Sequence, residues 1–432
     1  MKSGEAAADP QMLPDGHTLL FSYSAGALTP DRWDKAQIVA QSPESGERKI
    51  IVQNGVDGRY LPSGHLVYAV EGVLQAVPFD VKQLKPTGPA VAVVPGVIRG
   101  TGLYAGAHAV YSVSDSGSLA YLPGLASISS ARREVNVINR AGASEPLKLP
   151  SGSYEAPRVS PDGTRIAVDS DDGKQAVVWV YDVSQTHAPV QITFDGRNRL
   201  PIWSGDGKYV AYQSDREGGG IFRQLADGSG TAERLTKPDP GTTHIPNSWS
   251  PDGRTLLIDV VRDSQFSLSM WSATDKRIVA FDNVVSLRPT TAVFSTDGLW
   301  VAYSLRKQEQ ARNAVFVEPF PPSGAKSQIS HDDDGHHPLW SRDGKLLYNT
   351  GTRLVELSFT TQPAFSVVGV PEPVPGGELF NVGPGSPRSY DIMRDRNIVG
   401  VASLARQALG GNLRIDVVVN WFTELQQRVP VK

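Results

Sequence analysis

A short motif recurs at near-constant spacing along almost the whole chain, and this periodicity restricts the fold more than any other property of the sequence. The clearest copies read Val159-Ser-Pro-Asp-Gly163, Trp203-Ser-Gly-Asp-Gly207, Trp249-Ser-Pro-Asp-Gly253, Phe294-Ser-Thr-Asp-Gly298 and Trp340-Ser-Arg-Asp-Gly344. Their aspartates are 44, 46, 45 and 46 residues apart. Weaker copies at Leu13-Pro-Asp-Gly16, Leu61-Pro-Ser-Gly64, Val113-Ser-Asp-Ser-Gly117 and Met393-Arg-Asp395 bring the motif starts to nine. A fixed period of this length means one supersecondary unit repeated, each copy burying its apolar surface against its neighbours.

The unit can be read strand by strand. The Asp-Gly step is a tight turn, because Asp caps the turn through its side chain and Gly accepts a positive φ. Strand-like runs follow it: Arg165-Ile-Ala-Val168, Tyr209-Val-Ala-Tyr212, Thr255-Leu-Leu-Ile258, Trp300-Val-Ala-Tyr303 and Leu346-Leu-Tyr348. A third run comes later in each unit, as in Val177-Val-Trp-Val-Tyr181 and Ala314-Val-Phe-Val317, and a fourth closes it, as in Val190-Gln-Ile-Thr193 and Glu233-Arg-Leu-Thr236. Four short antiparallel strands per unit of about 45 residues is the arithmetic of a β-propeller blade. The expectation is an all-β chain, residues 1–432 forming one propeller of about eight blades, with seven to nine in range. The end segments would share a blade and tie the circle. In a second reading the chain is truncated at its N-terminus and leaves an exposed sheet edge there. The aromatic column Trp203, Trp249, Phe294 and Trp340 is expected to pack between neighbouring blades.

Composition agrees with many turns and short strands: 42 glycines and 32 prolines against 4 methionines and no cysteine. The missing cysteine removes disulfides, thiolate metal sites and cysteine nucleophiles. A net charge of −3 without any dense Lys/Arg block gives nucleic acid nothing to bind. Met1 to Pro10 has no apolar core of the signal-peptide kind, and no run reaches the length of a membrane span. As written, the chain reads as soluble, without membrane insertion.

The Ser-Pro-Asp-Gly turns flanked by Trp and Val-Ala-Tyr resemble the WD40-like PD40 repeats of TolB and tricorn-type propellers. Thr193-Phe-Asp-Gly-Arg-Asn198, Gln213-Ser-Asp-Arg216, Ala226-Asp-Gly-Ser-Gly-Thr231, Glu318-Pro-Phe-Pro321, His336-His-Pro-Leu-Trp340 and Asn420-Trp-Phe-Thr-Glu-Leu425 resemble the C-terminal propeller region of bacterial membrane-anchored serine/threonine kinases. That resemblance implies a sensing or interaction module, extracytoplasmic if it belongs to a membrane-anchored parent. No Gly-rich nucleotide loop, Val-Ala-Ile-Lys strand, His-Arg-Asp loop or Asp-Phe-Gly occurs in the sequence, so phosphoryl transfer is unsupported. No Gly-x-Ser-x-Gly elbow occurs either, so peptidase chemistry is unsupported as well.

Two constellations suggest ligands. His331-Asp-Asp-Asp-Gly-His-His337 concentrates imidazoles and carboxylates that together suit a divalent cation, although it lacks calcium-loop spacing. Alignment on the proline ahead of each motif puts Glu155, Arg199, His244, Leu287 and His336 at one position, where a propeller would aim them at its channel; His108 falls in a comparable place. The expected ligand-binding residues at the channel mouth are Glu155, Arg199, His244 and His336, and a divalent metal ion would take His108, His244, His336 and His337. No residue is assigned as catalytic. The function expected is a non-enzymatic propeller binding a protein or small anionic ligand at its channel or at the loop face. Its alternatives are a metal-dependent lyase or hydrolase acting on an anionic saccharide, loosely similar to propeller-type oligogalacturonate lyases, and a TolB-like envelope scaffold.

Overall fold

The computed structural model describes residues 5–25, 33, 35–98, 108–123, 133–150, 152–171, 175–331, 333–361, 365–380, 382–403 and 414–431. The described residues form antiparallel sheets almost throughout, with one α-helix, Trp421–Arg428. Every one of the nine motifs is the turn joining the first two strands of a sheet: Glu5–Met12 to Leu19–Ala25 in the first case, Tyr390–Ile392 to Ile398–Ser403 in the last.

The Ser–Asp hydrogen bond recurs in every complete motif, while at 341–345 the serine oxygen accepts the N–H one residue earlier than in the other copies. In the copy at 250–255, Ser250 Oγ donates to Asp252 Oδ1 at 2.6 Å, the same oxygen accepts the Arg254 N–H at 3.0 Å, and Ser250 Oγ accepts the Thr255 N–H at 2.9 Å. Ser160 with Asp162, Ser295 with Asp297 and Ser341 with Asp343 repeat the Ser–Asp bond. Asp252 sits on the surface, so Asp252→Ala leaves solvated donors behind and is expected to cost about 1 kcal/mol, measured by urea denaturation.

Contacts divide the chain into two units, Arg132–Leu404 and Met1–Ala131 with Ala405–Lys432. Six four-stranded sheets lie in the first of these among the described residues. Blade 1 is composite: Arg133–Ile138 and Ser144–Pro146 are its outer strands, Tyr390–Ile392 and Ile398–Ser403 its inner ones. Blades 2 to 6 begin with the inner strands Tyr154–Val159, Asn198–Trp203, Thr242–Trp249, Val293–Phe294 and His336–Trp340. Each blade packs on the next, and the ring closes where Ile138, Tyr390 and Ile398 of blade 1 share a core with Leu339, Leu347 and Leu354 of blade 6 through Phe380. The blade shared by two distant segments therefore joins residues near 135 to residues near 400. Here the all-β propeller architecture follows the repeat arithmetic.

Aromatic residues of the motif column do pack between blades. Trp203 sits in a core with Ala167, Val178 and Val180 of blade 2, Trp249 with Ile202 and Ala211 of blade 3, and Trp340 with Val293 and Ala302 of blade 5. Such edges, apolar on both faces, are what a propeller buries in place of a single central core.

The second unit holds a four-stranded sheet (Glu5–Met12, Leu19–Ala25, Gln37–Gln41, Arg48–Val52), a sheet built on Val56–Tyr60, His65–Val70 and Val73–Asp80, and a third that pairs Tyr111–Val113 and Leu119–Tyr121 with Asp416–Val418. The helix Trp421–Arg428 buries Trp421 and Leu425 in its core beside Val56, Val67 and Leu119. Among the described residues no helix is long and apolar enough to cross a membrane.

Candidate functional site

Inner strands of the ring carry a bulge just after the positions that the proline alignment singles out. Pairing register shifts between Glu155 and Arg158, Arg199 and Ile202, and His336 and Leu339. Ala156, Leu200, Thr291 and His337 take positive φ there (42°, 56°, 46° and 53°). A bulge bends its strand and re-aims the neighbouring side chains. In this ring it turns them towards the adjacent blade. Arg199 of blade 3 is buried and ion-paired with Asp171 of blade 2, which also receives Arg197. Thr290 of blade 5 gives its N–H, at 3.0 Å, and its hydroxyl, at 2.5 Å, to Asp259 of blade 4. The His337 N–H of blade 6 donates to Ser304 Oγ of blade 5 at 3.1 Å. These are staples between blades. Leu287 is not part of the set: it lies outside the inner strands and is exposed, and Thr290 precedes the positive-φ residue Thr291 in its blade.

The histidines are placed accordingly. His336 holds both ring nitrogens against carbonyl oxygens, Nδ1 to Asp334 at 2.6 Å and Nε2 to Val382 at 2.8 Å. Fully buried His337 directs Nε2 at the Ser386 carbonyl, 2.8 Å away, and burial pushes its imidazolium form well out of reach. His244 is buried in blade 4, its Nδ1 has no partner, and desolvation pushes its pKa down to about 4. In the other unit, His108 is exposed, next to Ala109, whose N–H donates to the Asp57 carboxylate. Among the described residues no three His, Asp or Glu side chains gather as a metal site, so the expected set His108, His244, His336 and His337 does not form one. Within the acidic segment 331–337, Asp334 accepts the Asn313 backbone and side-chain N–H groups at 2.7 Å each, and Asp332 lies outside the described residues.

Glu155 faces Asp169 across the first two strands of blade 2. Asp169 is fully buried, neither of its carboxyl oxygens has a hydrogen-bond partner, and desolvation followed by the Glu155 charge pushes its pKa up to about 7. It stands at the register where Asp259 makes its staple, but without one.

The cavity of this ring lies one step further along the inner strands, at the motif end of the channel. About 450 Å³ in volume, it is lined by residues of all six blades, including Trp203, Trp249, Phe294, Val293 and Leu339. Four guanidinium groups, Arg158, Arg342, Arg388 and Arg394, line it against a single carboxylate, Asp391. Arg158 and Asp391 occupy one register, two residues ahead of the Ser position of their motifs, where the other blades place Ile202, Ser248, Val293 and Leu339. Asp391 Oδ2 accepts the Val159 N–H at 2.9 Å, and Arg158 Nη1 donates to the carbonyls of Pro157 and Arg388 at 2.7 and 3.1 Å. Arg388, 6% exposed, donates Nη1 to the Pro338 carbonyl at 3.1 Å. The Nε atoms of both arginines are shielded from solvent without a partner, as is Trp249 Nε1. Desolvation, reinforced by the Arg388 charge, pushes the Arg158 pKa down to about 9.

Gly205 takes the motif's proline position at the rim. A Cβ there would meet the Pro251 carbonyl oxygen at 2.4 Å, so a side chain cannot be fitted without moving the neighbouring turn.

A closed ring of four-stranded blades around a lined channel defines a β-propeller. The chain belongs to the PD40 family: the model of the TolB beta propeller domain matches residues 114–341. It is 28% identical over 205 residues to the uncharacterized peptidase YuxL of Bacillus subtilis (strain 168), a match covering 45% of this chain and 29% of that protein. The chain thus spans under a third of the relative's length. Among solved structures it is similar to a chain described as TolB from Agrobacterium tumefaciens (TM-score 0.48, 17% identity, 63% of this chain and 98% of that one). It is also similar to TolB from Acinetobacter baumannii (TM-score 0.43, 17% identity, 74% and 80%) and to an oligogalacturonate lyase in complex with manganese (TM-score 0.31, 13% identity, 82% and 85%).

Proposed function

We propose that this chain is a non-enzymatic ligand- or protein-binding propeller, a sensory or interaction module of the kind that receptor-like bacterial kinases carry. The observation that supports it is the cavity at the channel mouth, which combines apolar walls with buried donors that have no partner among the described residues. Recognition of a ligand uses such donors, whereas catalysis needs groups placed to transfer protons or attack a bond. The kinase relationship rests on the sequence resemblance, and it would put the propeller outside the cytoplasm. Membership of the PD40 family favours a second reading, a TolB-like envelope scaffold, in which a folded protein caps the mouth in place of a small molecule.

Trp203, Trp249 and Trp340 line the cavity, so occupancy is expected to change tryptophan emission. Titration with a panel of small anionic, neutral and cationic compounds should produce saturable changes with at least one class, and mass spectrometry should recover that compound unaltered. Conversion of a bound compound would instead make the chain an enzyme. A panel without any saturating member, alongside a protein that competes for the mouth, would leave the scaffold.

A further inference from the structure

The cavity also carries information about the chemistry of its occupant. We infer that the mouth of the ring is a site for a small carboxylate with an apolar body, its carboxylate held between Arg158 and Arg388 and its body against Trp249, Phe294 and Trp340. This inference rests on the binding reading above.

Charge and hydrogen bonding point the same way. Among the described residues, Arg158, Arg342, Arg388 and Arg394 line the cavity and none of them forms an ion pair within 4.0 Å. Buried charges in folded proteins are ordinarily paired, because an isolated cation in a low-dielectric site loses its hydration without compensation. Arg199 shows the ordinary solution in the same ring, paired with Asp171. Arg388 is as deeply buried as Arg199, yet it meets a carbonyl and the face of the Tyr390 ring, 6.0 Å from the ring centroid, with no carboxylate, and leaves Nε without an acceptor. Arg158 leaves its Nε equally free, and Trp249 Nε1 adds a third donor. Asp391 does not serve them: its Oδ2 and Oδ1 accept the N–H groups of Val159 and Ile392 at 2.9 Å each, and it forms no ion pair with either arginine. An incoming anion would supply both the missing charge and the missing acceptors, and guanidinium groups bind a carboxylate through paired N–H donors.

Size and wall chemistry narrow the class. A volume of about 450 Å³ lies in the range of small-molecule pockets. The rest of the lining is largely indole, phenyl and aliphatic surface, which suits an apolar body and not a densely charged one. Asp391 beside the arginines opposes any ligand carrying several negative charges.

The test is isothermal titration of the full chain with 3-phenylpropionate, its neutral amide and inorganic phosphate in low-salt buffer. The carboxylate is expected to bind at least tenfold more tightly than the amide and than phosphate. Arg388→Gln and Arg158→Gln should each weaken it tenfold or more, and Asp391→Asn, which keeps an acceptor for the Val159 N–H, should tighten it severalfold. Equal binding of acid and amide, preference for phosphate, or unchanged affinity in the arginine variants would overturn the inference. Should an arginine variant fail to fold, as judged by near-ultraviolet circular dichroism, Asp391→Asn decides alone: unchanged or weaker binding overturns it. A neutral or cationic compound that saturates the tryptophan signal would retain the binding module while ending the carboxylate assignment.

Discussion

Replacement of Asp169 by Asn is expected to stabilise the ring at pH 8 and to leave it nearly unchanged at pH 4. Asp169 is fully buried without a partner for either carboxyl oxygen, and its pKa stands at about 7 in the folded chain against 3.8 for an ordinary aspartate. A raised carboxyl pKa means that the folded state binds the proton more tightly than the unfolded one. Its contribution is therefore fully present below about pH 4 and is lost as pH rises through about 7. Above that, the wild-type chain holds a desolvated carboxylate facing Glu155 across the sheet, at a cost on the order of a few kcal/mol. Asn keeps the shape and cannot ionise. The thermal midpoint of the variant should exceed wild type by about 5 °C at pH 8, and the difference should shrink steadily towards pH 4. Asp259, pushed up to about 6 by burial, titrates in both proteins and cancels in the comparison. A variant that is less stable at pH 8, or one whose pH profile parallels wild type, would contradict this assignment.

A disulfide across the composite blade should produce the other large effect. Val137 and Val399 are directly opposed where Arg133–Ile138 pairs with Ile398–Ser403, and the natural chain has no cysteine to interfere. Opposed residues of antiparallel strands bring their Cβ atoms within about 4.5–5.5 Å, close enough for a bridge with small backbone adjustment. Val137→Cys/Val399→Cys is expected to form one bridge on mild oxidation, identified by mass spectrometry of the linked peptides. Because the bridge closes a loop of about 260 residues, chain entropy sets an upper bound of about 5.6 kcal/mol on the stabilisation. The oxidised form should unfold at clearly higher denaturant concentration than the reduced form. Failure to cross-link, under conditions where a pair placed within blade 2 at Val168 and Trp179 does so, would mean that the ring is not tied at this strand.

Fold and site differ in how far the sequence discloses them. The nine motif starts are read as about eight blades in one ring; each turn falls between the first two strands of a sheet, because the turn is local chemistry carried by Ser, Asp and Gly within six residues. The aromatic column was equally readable, since Trp203, Trp249 and Trp340 repeat at blade period. How the sheets divide was not local information: pairing of Val137 with Val399 joins two segments about 260 residues apart, and of the two only the later one follows a motif, a degenerate one. Glu155, Arg199, His244 and His336 lie on inner strands, but the bulges turn Arg199 towards Asp171 and leave both His336 nitrogens on carbonyls. Spacing alone does not reveal a bulge. Alignment on the motif serine in place of the proline would have exposed Arg158 and Asp391, together with Arg59 of the other unit, as the charged members of that register. Arg388 offers no such signal, because it precedes a degenerate motif, and its place at the mouth follows only from the return of Tyr390–Ile392 to the ring.

The most direct measurement of the central claim, that the mouth of this ring is where the chain binds, is a crystal structure with 3-phenylpropionate at saturation. The account predicts its carboxylate within hydrogen-bonding distance of Arg158 Nε and Arg388 Nε, with the phenyl ring against Trp249 and Phe294. A saturated complex in which the mouth holds no ligand, or in which the compound lies elsewhere on the chain, would contradict it.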